Sequence, residues 1–103
     1  MDRQRLYDDA AEFFSLGGNA IMKLTPDSAI QVCLEATEKK LLVRRIEGGK
    51  WHNPGFEARL DCIWDRESDE SVARDQSNQE AASFIAEKRD EHQAFVITIN
   101  DPI

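Results

Sequence analysis

Two histidines, two cysteines and several serines are the residues of this 103-residue chain that could support catalysis or bind a metal. His52 and His92 are far apart in sequence and complete no recognisable ligand set, and the serines have no assisting group in a known pattern. Cys33 and Cys62 lack CxxC spacing, which favours two reduced, partly buried thiols. We therefore predict a protein that is not an enzyme, with no cofactor and no metal site.

Charged side chains indicate recognition instead. The chain has 20 acidic and 13 basic residues, and the acidic excess lies in residues 65–103, which hold ten acids and four bases. Such a surface disfavours direct contact with nucleic acid or an anionic membrane and favours a basic protein partner. Solubility alone is the alternative explanation. The candidate partner-facing acids are Asp65, Glu67, Asp69, Glu70 and Asp75.

The stretch GGKWHNPGF, residues 48–56, is the second candidate. Pro54 and Gly55 fit the central positions of a type II turn, and Gly48-Gly49 permits a second reversal. Two interpretations of Trp51 stay open at this point. The indole packs against one end of its own core, or a rigid loop presents Trp51, His52 and Asn53 to a partner.

Three helices and three strands must position these residues. A stripe of Leu6, Phe13 and Phe14 predicts the first helix, and Thr25-Pro26 is a cap followed by proline at the first helical position. Ser77 and Glu80 have the spacing of a capping box. The predicted helices are 3–16, 26–39 and 78–91, and the predicted strands are 41–47, 56–64 and 94–99.

The order α-α-β-β-α-β predicts a single small α+β domain with a three-stranded antiparallel sheet packed by helices. The first two strands form a hairpin around residues 48–56, and the third strand pairs with the first. Residues 56–64 alternate apolar and charged side chains, whereas AFVITI at 94–99 is apolar on both faces and belongs inside the sheet or under a cover on both sides. The chain lacks a long apolar run and begins with acidic residues, so we expect a cytoplasmic protein.

Several motifs together resemble one known family. They are MKLTPDSAIQVCLEA at 22–36, IEGGKWHNPGF at 46–56, Trp64 eight residues after Phe56, and AFVIT at 94–98. In this order and spacing they resemble the immunity protein of colicin E5, a bacteriocin that cleaves transfer RNA in the anticodon loop. The resemblance covers about 22–100. It implies residues 22–103 as an immunity-protein-like α+β domain and 1–21 as an N-terminal helical extension, and it does not extend to DRESDESVARDQ at 65–76.

The resemblance implies a non-enzymatic inhibitor that fills the RNA-binding cleft of a basic ribonuclease toxin and imitates its substrate. Such a mimic needs carboxylates in place of phosphates and flat polar groups in place of bases. The expected toxin-binding residues are Trp51, His52, Asn53, Asp65, Glu67, Asp69 and Glu70. The alternatives are an acidic inhibitor of another nucleic-acid-binding enzyme, for example a DNA mimic, and a structural interaction module.

Overall fold

The chain forms an α+β domain in which a five-stranded mixed sheet carries three helices. The structure is a computed structural model and describes residues 6–16, 22–52, 55–65 and 74–100. The elements in chain order are β1 (Leu6–Tyr7), α1 (Ala10–Ser15), β2 (Lys23–Leu24), α2 (Pro26–Glu38), β3 (Leu42–Trp51), β4 (Phe56–Asp65), α3 (Arg74–Lys88) and β5 (Ala94–Asn100).

The sheet order is β1-β2-β5-β3-β4. The three long strands have the predicted arrangement, since β3 pairs antiparallel with both β4 and β5. The predicted strand count of three is corrected to five, because β1 and β2 add two short strands beside β5. Two-residue strands are too short to show the alternation by which strands are recognised in a sequence. β5 lies inside the sheet, as its apolar character predicted.

The first helix is shorter than predicted. It begins at Ala10, and the preceding residue Asp9 is its N-cap, whose side chain accepts a hydrogen bond from the backbone N–H of Ala11. Leu6, which was predicted to lie in this helix, belongs to β1. Phe13 is fully buried, and Phe14 packs against the core with its ring edge-on to Phe13 at 5.3 Å between centroids. Both phenylalanines of this segment therefore pack on the domain.

The second helix begins as predicted but buries a different stripe. Thr25 is the N-cap, its hydroxyl accepts from the N–H of Ser28 at 3.3 Å, and Pro26 opens the helix. The spacing of Ile30, Cys33, Leu34 and Thr37 in the sequence predicts that these residues form one buried face, but Leu34 is 43% exposed. The side chains that α2 buries are those of Ser28, Ala29, Val32, Cys33 and Ala36.

The third helix does not use the predicted capping box. α3 includes Arg74, so Ser77 lies inside the helix and is buried, and the helix ends at Lys88. Asn78 is also buried and bonds to groups outside its own helix. Ser77 is therefore a buried residue inside the helix and does not have the capping role that its spacing from Glu80 suggested. Ala81 and Ile85 are buried as predicted.

Among the residues that the structure describes, one face of the sheet packs against the helices. Val43, Ile46, Phe95 and Ile97 enter the core with α2 and α3, whereas residues between them on β3 and β5 stay partly exposed. We refer to the opposite side of the sheet as the open face. This one-sided burial is common for antiparallel strands.

Gly48 and Gly49 do not form a reversal, since both lie within β3. A Cβ on Gly48 would overlap Cys62 Sγ and lie 2.7 Å from the Phe95 ring, and one on Gly49 would overlap the backbone carbonyl of Glu57. The pair is therefore required by close approach of neighbouring strands.

Candidate functional site

The predicted recognition loop is the tip of the β3–β4 hairpin. Because β3 continues to Trp51 and β4 begins at Phe56, the connection is shorter than the stretch 48–56. Gly55 has φ +123°, the positive value that the predicted turn requires at this position. Asn53 and Pro54 lie outside the described residues, so the predicted role of Asn53 stays a prediction.

Trp51 does not belong to the core. Its side chain is half-buried, and it is absent from the cluster of described core residues and from the side chains packed against that cluster. Trp51 is directly opposite Phe56 in the hairpin, and the ammonium of Lys23 lies 5.9 Å from the centre of the Phe56 ring. Lys23 neighbours the buried Leu24 and so faces away from the core. These three side chains therefore lie on the open face.

His52 is exposed and belongs to a small polar network. Its Nε2 lies 3.0 Å from Glu57 Oε1, and Arg59 Nη1 lies 2.9 Å from the other carboxylate oxygen. The hydrogen bond with His52 and the charge of Arg59 lower the pKa of the Glu57 carboxyl. Exposed ion pairs of this kind add little to stability, so the network leaves His52 free to exchange partners.

Asp65 is exposed, but its charge is already compensated. Arg45 Nη1 donates to both carboxylate oxygens of Asp65, at 2.8 and 2.7 Å, while Arg45 Nε donates to Glu47 at 2.8 Å. The hydrogen bonds to Glu47 and Asp65 raise the pKa of Arg45. Asp65 can act as a phosphate mimic only by exchanging Arg45 for a partner's cation. The predicted contact acids Glu67, Asp69 and Glu70 lie outside the described residues.

The hairpin places the tip and Asp65 at opposite ends. Asp65 pairs with Arg45, and Trp51 lies six positions after Arg45 in β3. At roughly 3.3 Å per residue the two ends are about 20 Å apart. The three predicted site residues that the structure describes, Trp51, His52 and Asp65, therefore do not form one cluster.

A groove between α3 and β4 was missed in the sequence. Its carboxylates are Glu80 and Glu87, and Trp64 and Phe84 contribute aromatic walls; the lining residues are Trp64, Gln76, Gln79, Glu80, Ser83, Phe84 and Glu87. No basic side chain lines this groove among the described residues. The signal was present as a polar helical face, since residues 76, 79, 80, 83 and 87 are spaced by three or four positions. Only the fold places that face beside Trp64.

Comparison with known protein families identifies the family of this chain. The family model described as "Colicin-E5 Imm protein" matches residues 22–100. The chain belongs to the colicin E5 immunity protein family. The sequence-based resemblance and its extent are thereby confirmed.

Two relatives show how far the similarity of this family member extends. It is 54% identical over 101 residues to the "Immunity protein CdiI" of Burkholderia pseudomallei, an alignment covering 95% of this chain and 92% of that protein. It is 36% identical over 81 residues to the "Colicin-E5 immunity protein" of Escherichia coli, covering 76% of this chain and 98% of that protein.

Within the described residues, no helix is long and apolar enough to cross a membrane.

Proposed function

We propose that this immunity protein binds and inhibits a tRNA-cleaving toxin domain by occupying its RNA-binding cleft, and that it acts without catalysis. The α3–β4 groove is the observation that supports this proposal most strongly. We expect it to act in the cytoplasm, where transfer RNA is present.

The groove offers the chemical groups that an RNA substrate offers. Glu80 and Glu87 are exposed carboxylates that can take the place of phosphates, and the side-chain amides of Gln76 and Gln79 can imitate base edges. Trp64 adds a flat aromatic surface at the base of the groove. A ribonuclease cleft must supply cations and base-binding pockets, so it is complementary to this set of groups.

Two predicted contact residues that the structure describes, Asp65 and Trp51, lie at the two ends of the β3–β4 hairpin. Asp65 follows Trp64 directly, and Glu67, Asp69 and Glu70 come next in the sequence. Trp51 and His52 lie at the hairpin tip at the other end of β4, and Asn53 follows them in the sequence. A standard interface buries about 800 Å² on each partner, which is roughly 30 Å across and sufficient to cover both ends. We propose that the toxin lies along β4, which is an edge of the sheet.

A tRNA cleavage assay tests the proposal. The toxin domain encoded beside this protein's gene is mixed with transfer RNA and increasing amounts of the immunity protein. We expect cleavage to stop near one equivalent, because a competitive mimic and the substrate need the same cleft. A complex that forms while cleavage continues would contradict the substrate-mimic mechanism. A toxin that cuts DNA but leaves transfer RNA intact would favour the DNA-mimic alternative.

A further inference from the structure

A second cleft lies at the carboxyl end of α3 and is distinct from the groove described above. Its walls combine the end of the helix, β3 and β4; the lining residues are Lys50, Arg59, Asp61, Asp90, Glu91, His92 and Gln93. Of the expected toxin-binding residues, those that the structure describes do not line this cleft. It contains the second histidine of the chain, which the sequence left without an assigned role.

His92 is buried without a hydrogen-bond partner. Its side chain is 3% exposed, and neither Nδ1 nor Nε2 makes a hydrogen bond in the described structure. A buried polar group that is left unpaired destabilises the folded state, so native proteins rarely leave one without a reason. An imidazole nitrogen at the edge of a cleft is a good ligand for a transition metal.

Two carboxylates face this imidazole. One ligand atom from each of Asp61, Glu91 and His92 lies within 4.8 Å of the others. The N–H groups of Glu91 and His92 both donate to the carbonyl of Lys88 at 3.1 Å, which fixes the turn that holds these neighbours. Asp61 comes from a stretch where the register with β3 is broken, between the pairs Glu47–Ile63 and Gly49–Ala58. Such irregularities commonly re-aim a side chain toward a site.

We propose that Asp61, Glu91 and His92 form a binding site for a divalent transition-metal ion such as Zn²⁺. One imidazole nitrogen and two carboxylate oxygens suit this class of ion, and water can complete a tetrahedral shell. Metal–ligand bonds of about 2.1 Å place tetrahedral ligand atoms roughly 3.4 Å apart, so ligand atoms that lie within 4.8 Å of one another must approach by at most about 1.4 Å. The carboxylates of Asp61 and Glu91 are exposed and can rotate by that amount.

Nearby cations set the expected strength of binding. Lys50 and Arg59 line the same cleft, and their positive charges weaken the binding of a metal ion. Arg59 is already paired with Glu57 at 2.9 Å, which reduces its effect. Three protein ligands with two cations nearby favour micromolar affinity over the much tighter binding of closed four-ligand structural sites. The ion would join the end of α3 to β4 and stabilise the folded state.

Calorimetric titration of the metal-free protein with ZnCl₂ tests the site. We expect one Zn²⁺ per chain, and a melting temperature higher by roughly 5 °C or more when Zn²⁺ is tenfold above its dissociation constant. Asp61→Asn and Glu91→Gln should each weaken Zn²⁺ binding at least tenfold. Both residues are exposed, so these variants should fold normally.

Asp90→Asn is the matched control, because Asp90 lines the same cleft but is not one of the three ligands. The affinity of the Asp90→Asn variant for Zn²⁺ should stay within twofold of the affinity of the unchanged protein. His52→Gln controls for binding at the exposed pair of His52 and Glu57. Absence of Zn²⁺ binding, or equal affinity in Asp61→Asn, Glu91→Gln and the controls, would overturn the proposal. The titration uses no toxin, so its failure leaves the proposed toxin inhibition standing.

Discussion

The side-chain oxygen of Asn78 accepts a hydrogen bond from the backbone N–H of Val43 at 3.0 Å, joining α3 to the start of β3. The amide nitrogen of Asn78 donates to the carbonyl of Leu41 and to the hydroxyl of Thr37, both at 3.0 Å. One buried side chain therefore satisfies the backbone where the chain leaves α2 and enters the sheet. This is a tertiary substitute for a local cap.

Asn78→Ala should lower the free energy of unfolding by about 2–4 kcal/mol. The change leaves the N–H of Val43 and the carbonyl of Leu41 buried without their Asn78 partner, and each such group costs about 1–3 kcal/mol. Urea unfolding measures the loss. Gln79→Ala is the control on the next, exposed position and should change stability by less than about 0.5 kcal/mol. Equal losses in both variants would show that Asn78 has no special role.

Trp51→Ala should weaken toxin binding by about 2–4 kcal/mol, the usual loss for an aromatic hot spot. It should lower the stability of the free protein by only about 1 kcal/mol, because Trp51 is outside the core. Affinity and melting temperature are measured on the same preparation. A loss of 3–5 kcal/mol in stability with normal affinity of the folded fraction would instead support the core-packing interpretation.

Neutralising the groove should slow association with the toxin. Glu80→Gln combined with Glu87→Gln should reduce the association rate constant by roughly threefold to tenfold at low salt and much less at high salt, because steering by charge is screened. Stopped-flow mixing at two ionic strengths gives both values. Glu38→Gln lies on α2, away from the groove, and serves as a charge-neutralising control. Association that does not depend on salt would count against phosphate mimicry.

The acidic residues Asp69 and Glu70, which follow β4 in the sequence, can be compared with the groove in the same way. Asp69→Asn combined with Glu70→Gln should lower the association rate more than it raises the dissociation rate, as expected for charges that steer an encounter. If this pair has a larger effect than the Glu80 and Glu87 pair, these two acids contribute more to recognition than the groove. The same stopped-flow experiment decides between them.

Local signals in the sequence predicted much of the fold. The Thr25-Pro26 start of α2, the β3–β4 hairpin and the inner position of β5 all follow from short-range patterns. Two of the sequence-based predictions, a helix cap and a chain reversal, were wrong for the same physical reason. Ser77 resembles a cap and Gly48-Gly49 resembles a turn, but both are explained by contacts between distant segments: burial against the core and close strand packing.

The candidate sites were less predictable because each combines residues that are distant in sequence. The position of Trp51 and His52 at the hairpin tip followed from the turn signal. Neither the contact of Trp64 with the polar face of α3 nor the approach of Asp61 to His92 has a spacing that a single sequence could reveal. The latter also depends on the broken register of β4, which no alternation pattern predicts.

Cys33 should make the stability of the protein fall above about pH 9. Burial raises the pKa of its thiol from 9.0 to about 12. Between these values the unfolded chain loses the proton while the folded chain keeps it, so folding becomes less favourable as the pH rises. The slope reaches about 1.4 kcal/mol per pH unit for one such group. Burial also raises the pKa of Cys62, which acts in the same direction.

Urea unfolding between pH 8 and 10.5 should therefore show a steeper loss of stability for the unchanged protein than for Cys33→Ala. Every other ionisable group is common to both proteins, so its contribution cancels in the difference between the two slopes. The thiol should also react slowly with aromatic disulfides at pH 8, since about one molecule in ten thousand carries the Cys33 thiolate when the pKa is about 12. Parallel pH profiles, together with fast labelling of Cys33 in the folded state, would contradict its burial as a neutral thiol.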